Sequence, residues 1–136
     1  MDTLEMFRRM KGERVAHLAT SGPDGRPHIV PITFVVGDDA IYFAVDHKPK
    51  KSANLQRLRN IERNPAVSVL IDHYEDDWMK LWWVRVEGSA RILDRGPESD
   101  MAIVQLSERY EQYQSTKPAG PVVAISIERM SGWSAS

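Results

Sequence analysis

The sequence predicts a small, mainly β domain: six antiparallel strands rolled into a closed barrel, with two or three flanking helices. Three observations lead there. Short runs rich in Val, Ile and aromatic residues recur along the chain, separated by Gly, Pro and Asp turns. Apolar spacing of three or four residues is confined to a few stretches. The chain has 136 residues, one domain's worth. Strands this few and short cannot build a large sandwich, and closure removes their exposed edges.

Each element follows from the residues in turn. Leu4, Phe7 and Met10 are spaced by three, which predicts a short amphipathic helix over 3–11. Val15 to Thr20 reads as a strand, ended by Ser21-Gly22-Pro23-Asp24-Gly25-Arg26-Pro27, whose residues supply or fix turn dihedrals. His28 to Val36 is a long β-branched run. Gly37-Asp38-Asp39 turns it into Ala40 to Asp46, so the three strands read as a meander. Lys48-Pro49-Lys50-Lys51 leads to Ser52, a good N-cap, and Leu55, Leu58 and Ile61 give a helical stripe that Asn64-Pro65 stops. Ala66 to Asp72 is a Val/Ile strand. The acidic loop Glu75-Asp76-Asp77 precedes Leu81 to Leu93, a long strand or a bent pair with Gly88 as a bulge or bend. Pro97 to Gln114 reads as one helix with Ile103, Leu106, Tyr110 and Tyr113 on a face. After the loop Pro118-Ala119-Gly120-Pro121, Val122 to Glu128 forms the last strand, followed by a tail carrying Trp133. No repeat or linker interrupts 1–136, which reads as a single domain.

Composition excludes several classes of function. The chain has no Cys, which removes disulfides, thiolate nucleophiles and Cys-ligated metals. His17, His28, His47 and His73 lack metal-ligand spacing. There is no nucleophile elbow, P-loop or dinucleotide fingerprint. A net charge of -1 argues against a nucleic-acid partner. No apolar run reaches the roughly 20 residues of a membrane helix. Residues 1–10 carry Asp2, Glu5, Arg8 and Arg9 and do not read as a signal peptide, so the expected location is cytoplasmic. An enzyme of this composition would leave its chemistry to a bound cofactor.

Three features point to a binding site. Lys48, Lys50 and Lys51 run into a helix start at Ser52, where free N–H groups and the helix dipole suit a phosphate; the plain alternative is a solvated basic loop. Pro31 removes a ladder donor from the middle of its strand, which places that strand at an edge with backbone groups to lend to a flat heterocycle; the plain alternative is an ordinary edge strand. Trp78, Trp82 and Trp83 cluster, and strand alternation separates the last two. Trp82 shares a face with Val84 and Val86 and reads as core. Trp83 shares one with Arg85 and Glu87 and reads as an interface or a ligand wall. Trp78 fits either environment.

These segments together resemble the pyridoxamine 5'-phosphate oxidase-like split-barrel family. The resemblance is carried by Val15-Ala16-His17-Leu18-Ala19-Thr20, Gly25-Arg26-Pro27-His28-Ile29-Val30-Pro31-Ile32 and Lys51-Ser52-Ala53-Asn54-Leu55. It continues through Asn64-Pro65-Ala66-Val67-Ser68-Val69 and Val86-Glu87-Gly88-Ser89-Ala90. Trp82-Trp83-Val84-Arg85 and Ser131-Gly132-Trp133-Ser134 look like the short actinobacterial branch of oxidoreductases using coenzyme F420, a 5-deazaflavin. The resemblance implies an FMN-binding-type split barrel, a homodimer with two cofactor sites at the subunit interface, and a small-molecule substrate. It implies that Lys51 contacts the cofactor phosphate beside Ser52 and Ala53. It further implies that His28, Ile29, Val30, Pro31 and Ile32 line the ring, and that Ala44, Val45 and Asp46 flank ring and ribityl chain. Trp83, with Trp78 or Trp133, would come from the other subunit. Coenzyme F420 is the cofactor this branch implies, with FMN the alternative; Lys48 and Lys50, with Arg57 as a further candidate, suit the longer acidic tail of F420. Pyridoxine-phosphate oxidases of the family carry an Arg-His-Arg cluster after a Trp, absent after Trp133-Ser134, so that oxidation is not expected. A non-catalytic flavin- or haem-binding module is the reading from another class. No catalytic side chain stands out, with His28 and Tyr42 as candidate proton sources.

Overall fold

A computed structural model describes residues 1–45 and 56–136. Its helices are α1 (Thr3–Gly12), α2 (Gln56–Arg63), α3 (Pro97–Arg109) and α4 (Glu111–Ser115). Its strands are β1 (Ala16–Ser21), β2 (Pro27–Ile32), β3 (Val35–Val36), β4 (Ala40–Ala44), β5 (Ala66–His73), β6 (Trp82–Ile92) and β7 (Val122–Ser134). Short 3-10 turns occupy Pro23–Gly25 and Trp78–Lys80. All pairings are antiparallel, in the order β2-β1-β5-β6-β7-β4-β3.

The two ends of that order, β2 and β3, are separated in sequence only by Thr33 and Phe34. The sheet must therefore roll until its edges nearly meet. The barrel is closed by the chain itself and not by a ladder, which is the split. The described residues form seven strands in place of the six expected, because the run His28 to Val36 breaks in two. The expected meander is absent for the same reason: β2 lies at one end of the sheet and the β3–β4 pair at the other. The break has a tertiary cause. The Phe34 N–H donates to the Tyr110 hydroxyl at 3.0 Å and not to a neighbouring strand, while the Phe34 ring is fully buried. That hydroxyl also faces the carbonyls of Arg14 at 2.9 Å and Phe34 at 3.1 Å.

The core has two parts. Inside the barrel, Leu18, Val69, Ile71, Val84, Val86, Phe43 and Ile125 pack with Met6 and Met10 of α1 and Leu58 and Ile61 of α2. Outside it, α3 and α4 lay Ala102, Leu106, Tyr110 and Tyr113 over Val35, Tyr42, Ala44, Val122 and Ala124. Helix α1 starts at Asp2, whose carboxylate accepts from the Glu5 N–H at 2.8 Å. Its buried face is Met6–Met10, an i,i+4 pair, and Leu4 is exposed, contrary to the stripe expected from spacing alone. The single helix expected over 97–114 is interrupted at Tyr110, which is extended (φ -117°, ψ 114°).

Strands β6 and β7 form the longest ladder, from Trp82↔Ser134 to Ile92↔Val123. The register shifts between Glu87 and Gly88, where Glu128 is the extra residue of β7. A Cβ on Gly88 would stand 2.0 Å from the Ser126 carbonyl oxygen, so only glycine admits that approach. Residues 129–134, expected as a tail, continue β7.

Candidate functional site

Strand β2 pairs only with β1, with Pro31 opposite His17. It is the edge strand that Pro31 requires, and the side of its backbone away from β1 has no ladder partner among the described residues. Its side chains alternate as the pleat dictates. Ile29 and Pro31 are exposed on the outer face, His28 and Val30 are half-buried, and Ile32 is buried in the barrel.

At the end of β2 lies a cleft of about 260 Å³ lined by Val15, Pro31, Ile32, Thr33, Ala44, Arg57 and Tyr113. It unites three residues singled out from the sequence, Pro31, Ile32 and Ala44. Arg57, offered from the sequence as an extra cation, is a fourth, while Val15, Thr33 and Tyr113 were not foreseen as site residues. Thr33 sits in the gap between β2 and β3, and Tyr113 comes from α4; their hydroxyls are 3.2 Å apart. Arg57 brings a cation to a wall that is otherwise largely hydrocarbon. Val45 is buried next to Ala44, its N–H donating to the Pro121 carbonyl at 3.0 Å. Asp46, Lys48, Lys50, Lys51, Ser52 and Ala53 lie outside the described residues.

His28 does not line the cleft. It stands across from Thr20, and its Nδ1 is buried with no hydrogen-bond partner among the described residues. Nearby, the buried Asn60 amide donates to Thr20 Oγ1 at 3.0 Å and accepts from Gln56 at 2.7 Å, which docks α2 on β1. Tyr42 is not placed to give up a proton. It lies under α3 and donates to Glu98 at 2.8 Å, and Glu98 is also gripped by Arg91 at 3.0 and 3.1 Å. Burial and the Glu98 carboxylate push the Tyr42 phenol up to about 12. Arg91 first, then Tyr42, holds the Glu98 carboxyl below its ordinary range.

The tryptophans take the faces that alternation assigns. Trp82 is 8% exposed and belongs to the barrel core, with the Arg9 guanidinium 5.8 Å from its ring centroid. Trp83 is half-buried on the outer face, paired across the sheet with Trp133 on β7 and Asp72 on β5. Arg85 lies over its ring at 5.4 Å. Trp78 is exposed on the 3-10 turn after the acidic loop. None of the three lines the cleft. Trp83 and Pro31 share the outer face but lie three strand spacings apart, roughly 14 Å at about 4.8 Å per strand.

Helices α3 and α4 cover the outer face only over β3, β4 and the first part of β7. Across β2, β1, β5, β6 and the rest of β7 no helix among the described residues covers the outer face, where Ile29, Leu70 and Trp133 are exposed. Among the described residues no cluster of His, Asp and Glu could hold a metal ion. No described helix is long and apolar enough to cross a membrane.

The sequence profile of the pyridoxamine 5'-phosphate oxidase family matches residues 3–134. No curated protein matches the chain. Among solved structures, a conserved hypothetical protein of Mycobacterium tuberculosis is 26% identical, with a TM-score of 0.81 over 99% of this chain and 86% of its own. An FAD-binding protein of Mesorhizobium loti is 24% identical, with a TM-score of 0.73 over 97% of this chain and 94% of its own. A haem-storage protein of Vibrio cholerae is 20% identical, with a TM-score of 0.69 over 96% of this chain and 91% of its own. The last two likenesses are of fold.

Proposed function

The chain belongs to the pyridoxamine 5'-phosphate oxidase family, and on that premise we propose that it is an oxidoreductase holding a flavin-like tricycle, with coenzyme F420 ahead of FMN. The observation that carries this reading is the cleft at the split. An edge strand with free backbone groups, hydrocarbon walls and a few polar side chains is the kind of site that takes a flat heterocycle. Arg57 suits a phosphate, and the sequence adds Lys51 beside Ser52 and Ala53, with Lys48 and Lys50 suited to the longer acidic tail of F420. Reduced F420, when bound, supplies a hydride to a small unsaturated or conjugated substrate. The chain's own part is to orient the ring, exclude water and neutralise the phosphate.

The functional unit in this reading is a homodimer. A cleft of about 260 Å³ is below the roughly 300–1,000 Å³ of ordinary ligand pockets, and a second subunit would complete the enclosure. The outer face that no described helix covers, with Trp83 beside Trp133, is the surface suited to that contact. Trp83, and Trp78 or Trp133, then wall the cofactor from the opposite protomer. A haem-binding module is the second reading, favoured by the fold likeness to a haem-storage protein and by the buried His28 Nδ1, which has no hydrogen-bond partner among the described residues.

Titration of the full chain with F420, FMN and haemin, followed by ring fluorescence or haem absorbance, tests the reading. Binding of F420 more tightly than FMN, with oxidation of reduced F420 by a panel of unsaturated carbonyls, quinones and tetrapyrroles, is the expected result. Binding of haemin alone would replace it with the second reading.

A further inference from the structure

Several walls of the cleft share one fastening, and that fastening is not itself a wall. Tyr110 is buried and does not line the cleft. Its hydroxyl has one proton to give and two lone pairs to fill, and all are used. It accepts from the Phe34 N–H at 3.0 Å and from Arg109 Nε at 3.2 Å. Its proton faces the Arg14 carbonyl at 2.9 Å, with the Phe34 carbonyl next at 3.1 Å. We propose that Tyr110 is the positioning residue of the cleft: without touching the cofactor, its hydroxyl sets the spacing of the walls that hold the ring. The inference rests on the tricyclic-cofactor reading above.

Three lining residues depend on this one side chain. Arg14 directly precedes Val15, and Phe34 directly follows Thr33, so the bonds to their main-chain groups fix the backbone that carries both lining residues. The third is Tyr113. Its N–H donates to the Tyr110 carbonyl at 2.9 Å, and its ring meets the Tyr110 ring edge to face at 6.0 Å and 72°. The split makes such a fastening necessary. Thr33 and Phe34 join the two ends of the sheet and belong to neither strand, so side-chain bonds take the place of a ladder there. Arg109 holds the hydroxyl in turn. Its guanidinium also donates to the carbonyls of Lys11 and Glu13 at the end of α1, and it lies over the Phe34 ring at 5.2 Å. A hydroxyl with every site filled keeps one orientation. Supporting groups of this kind decide whether a binding site is held within about 0.5 Å of its productive geometry.

The test is Tyr110→Phe, which removes the oxygen and keeps the ring, with Tyr42→Phe as the control. Tyr42 is a second buried tyrosine with a hydrogen-bonded hydroxyl, and it does not line the cleft. Lumiflavin is the probe because it carries the ring without a phosphate and is achiral. Its visible circular dichroism when bound comes wholly from the fixed walls around it. Titrations are made on the full chain at a temperature where melts show each variant folded. The wild type should bind lumiflavin with an induced signal. Tyr110→Phe should bind about tenfold more weakly and lose most of that signal even at saturation. Tyr42→Phe should match the wild type in both. A merely structural role would lower the melting temperature of Tyr110→Phe and leave its affinity and saturated signal in place, and that result overturns the proposal. A wild type that binds lumiflavin with no induced signal overturns it too. Should Tyr110→Phe fail to fold, Arg109→Met, which takes one donor from the hydroxyl, carries the same test; a smaller loss of affinity and signal is expected, and wild-type values overturn the proposal. A wild type that takes neither FMN, F420 nor lumiflavin overturns the cofactor reading and this inference with it, a result distinct from binding that ignores Tyr110.

Discussion

Replacing Trp82 and Trp83 one at a time separates the barrel core from the outer face. Trp82 is 8% exposed, and an aromatic side chain in such a place removes roughly 150–250 Å² from water. At about 25 cal/mol per Å² that is roughly 4–6 kcal/mol, close to the 3–5 kcal/mol typical of buried Trp or Phe truncation. A domain this small has about 5–15 kcal/mol in all, so Trp82→Ala should lower its melting temperature by about 10 °C or more. Trp83 is half-buried and stacks under Arg85 at 5.4 Å, a contact worth roughly 0.5–1 kcal/mol at an exposed site. Trp83→Ala should therefore fold, with a loss of about 1–2 kcal/mol. Its larger effect should fall on association and on cofactor affinity. Thermal melts, sedimentation and cofactor titration on both variants provide the readouts. A folded Trp82→Ala together with an unfolded Trp83→Ala would mean that the two faces are exchanged. A Trp83→Ala that dimerises and binds cofactor like the wild type would remove the outer face from the site.

Three further outcomes are expected. Gly88→Ala must move the Ser126 backbone, since the new Cβ would stand 2.0 Å from its carbonyl oxygen, and a loss of about 3 kcal/mol is expected; Gly12→Ala, with nothing within 4 Å of the added carbon, is the control and should be neutral or slightly stabilising. Equal melting temperatures for the two would refute the close approach. The Tyr42 phenol is raised to about 12 in the folded chain against about 10 unfolded, so the folded state holds its proton more tightly. That stabilisation is full below pH 10 and is lost as pH rises toward 12; urea melts across this window should fall more steeply for the wild type than for Tyr42→Phe, and parallel curves would refute the linkage. Lys51→Ala should leave stability within about 0.5 kcal/mol yet weaken cofactor binding by about tenfold to a hundredfold, and unchanged affinity in a fluorescence titration would remove Lys51 from the phosphate site.

Local chemistry by itself determined a good deal. A proline at the centre of a β-branched run admits few environments, and Pro31 indeed lies on an edge strand. The two-residue period put Trp82 inside and Trp83 outside, and Gly88 marked the place where β6 and β7 change register. The order and spacing of the segments from Val15 to Ala90 were enough to point to the family. What tertiary structure decided are features whose causes lie far away in sequence. Nothing within His28 to Val36 says that it splits at Thr33 and Phe34. The cause is the hydroxyl of Tyr110, 76 residues on, which takes the Phe34 N–H from any ladder. The same contact holds Tyr110 extended within a stretch whose periodicity reads as one helix. Residues 129–134 carry little strand signal and become strand because β6 offers them a partner. The cleft brings Val15, Thr33, Arg57 and Tyr113 together. Short-range periodicity records which way a side chain faces. It does not record which distant edge the sheet will meet when it rolls up, and the cleft is made where those edges meet.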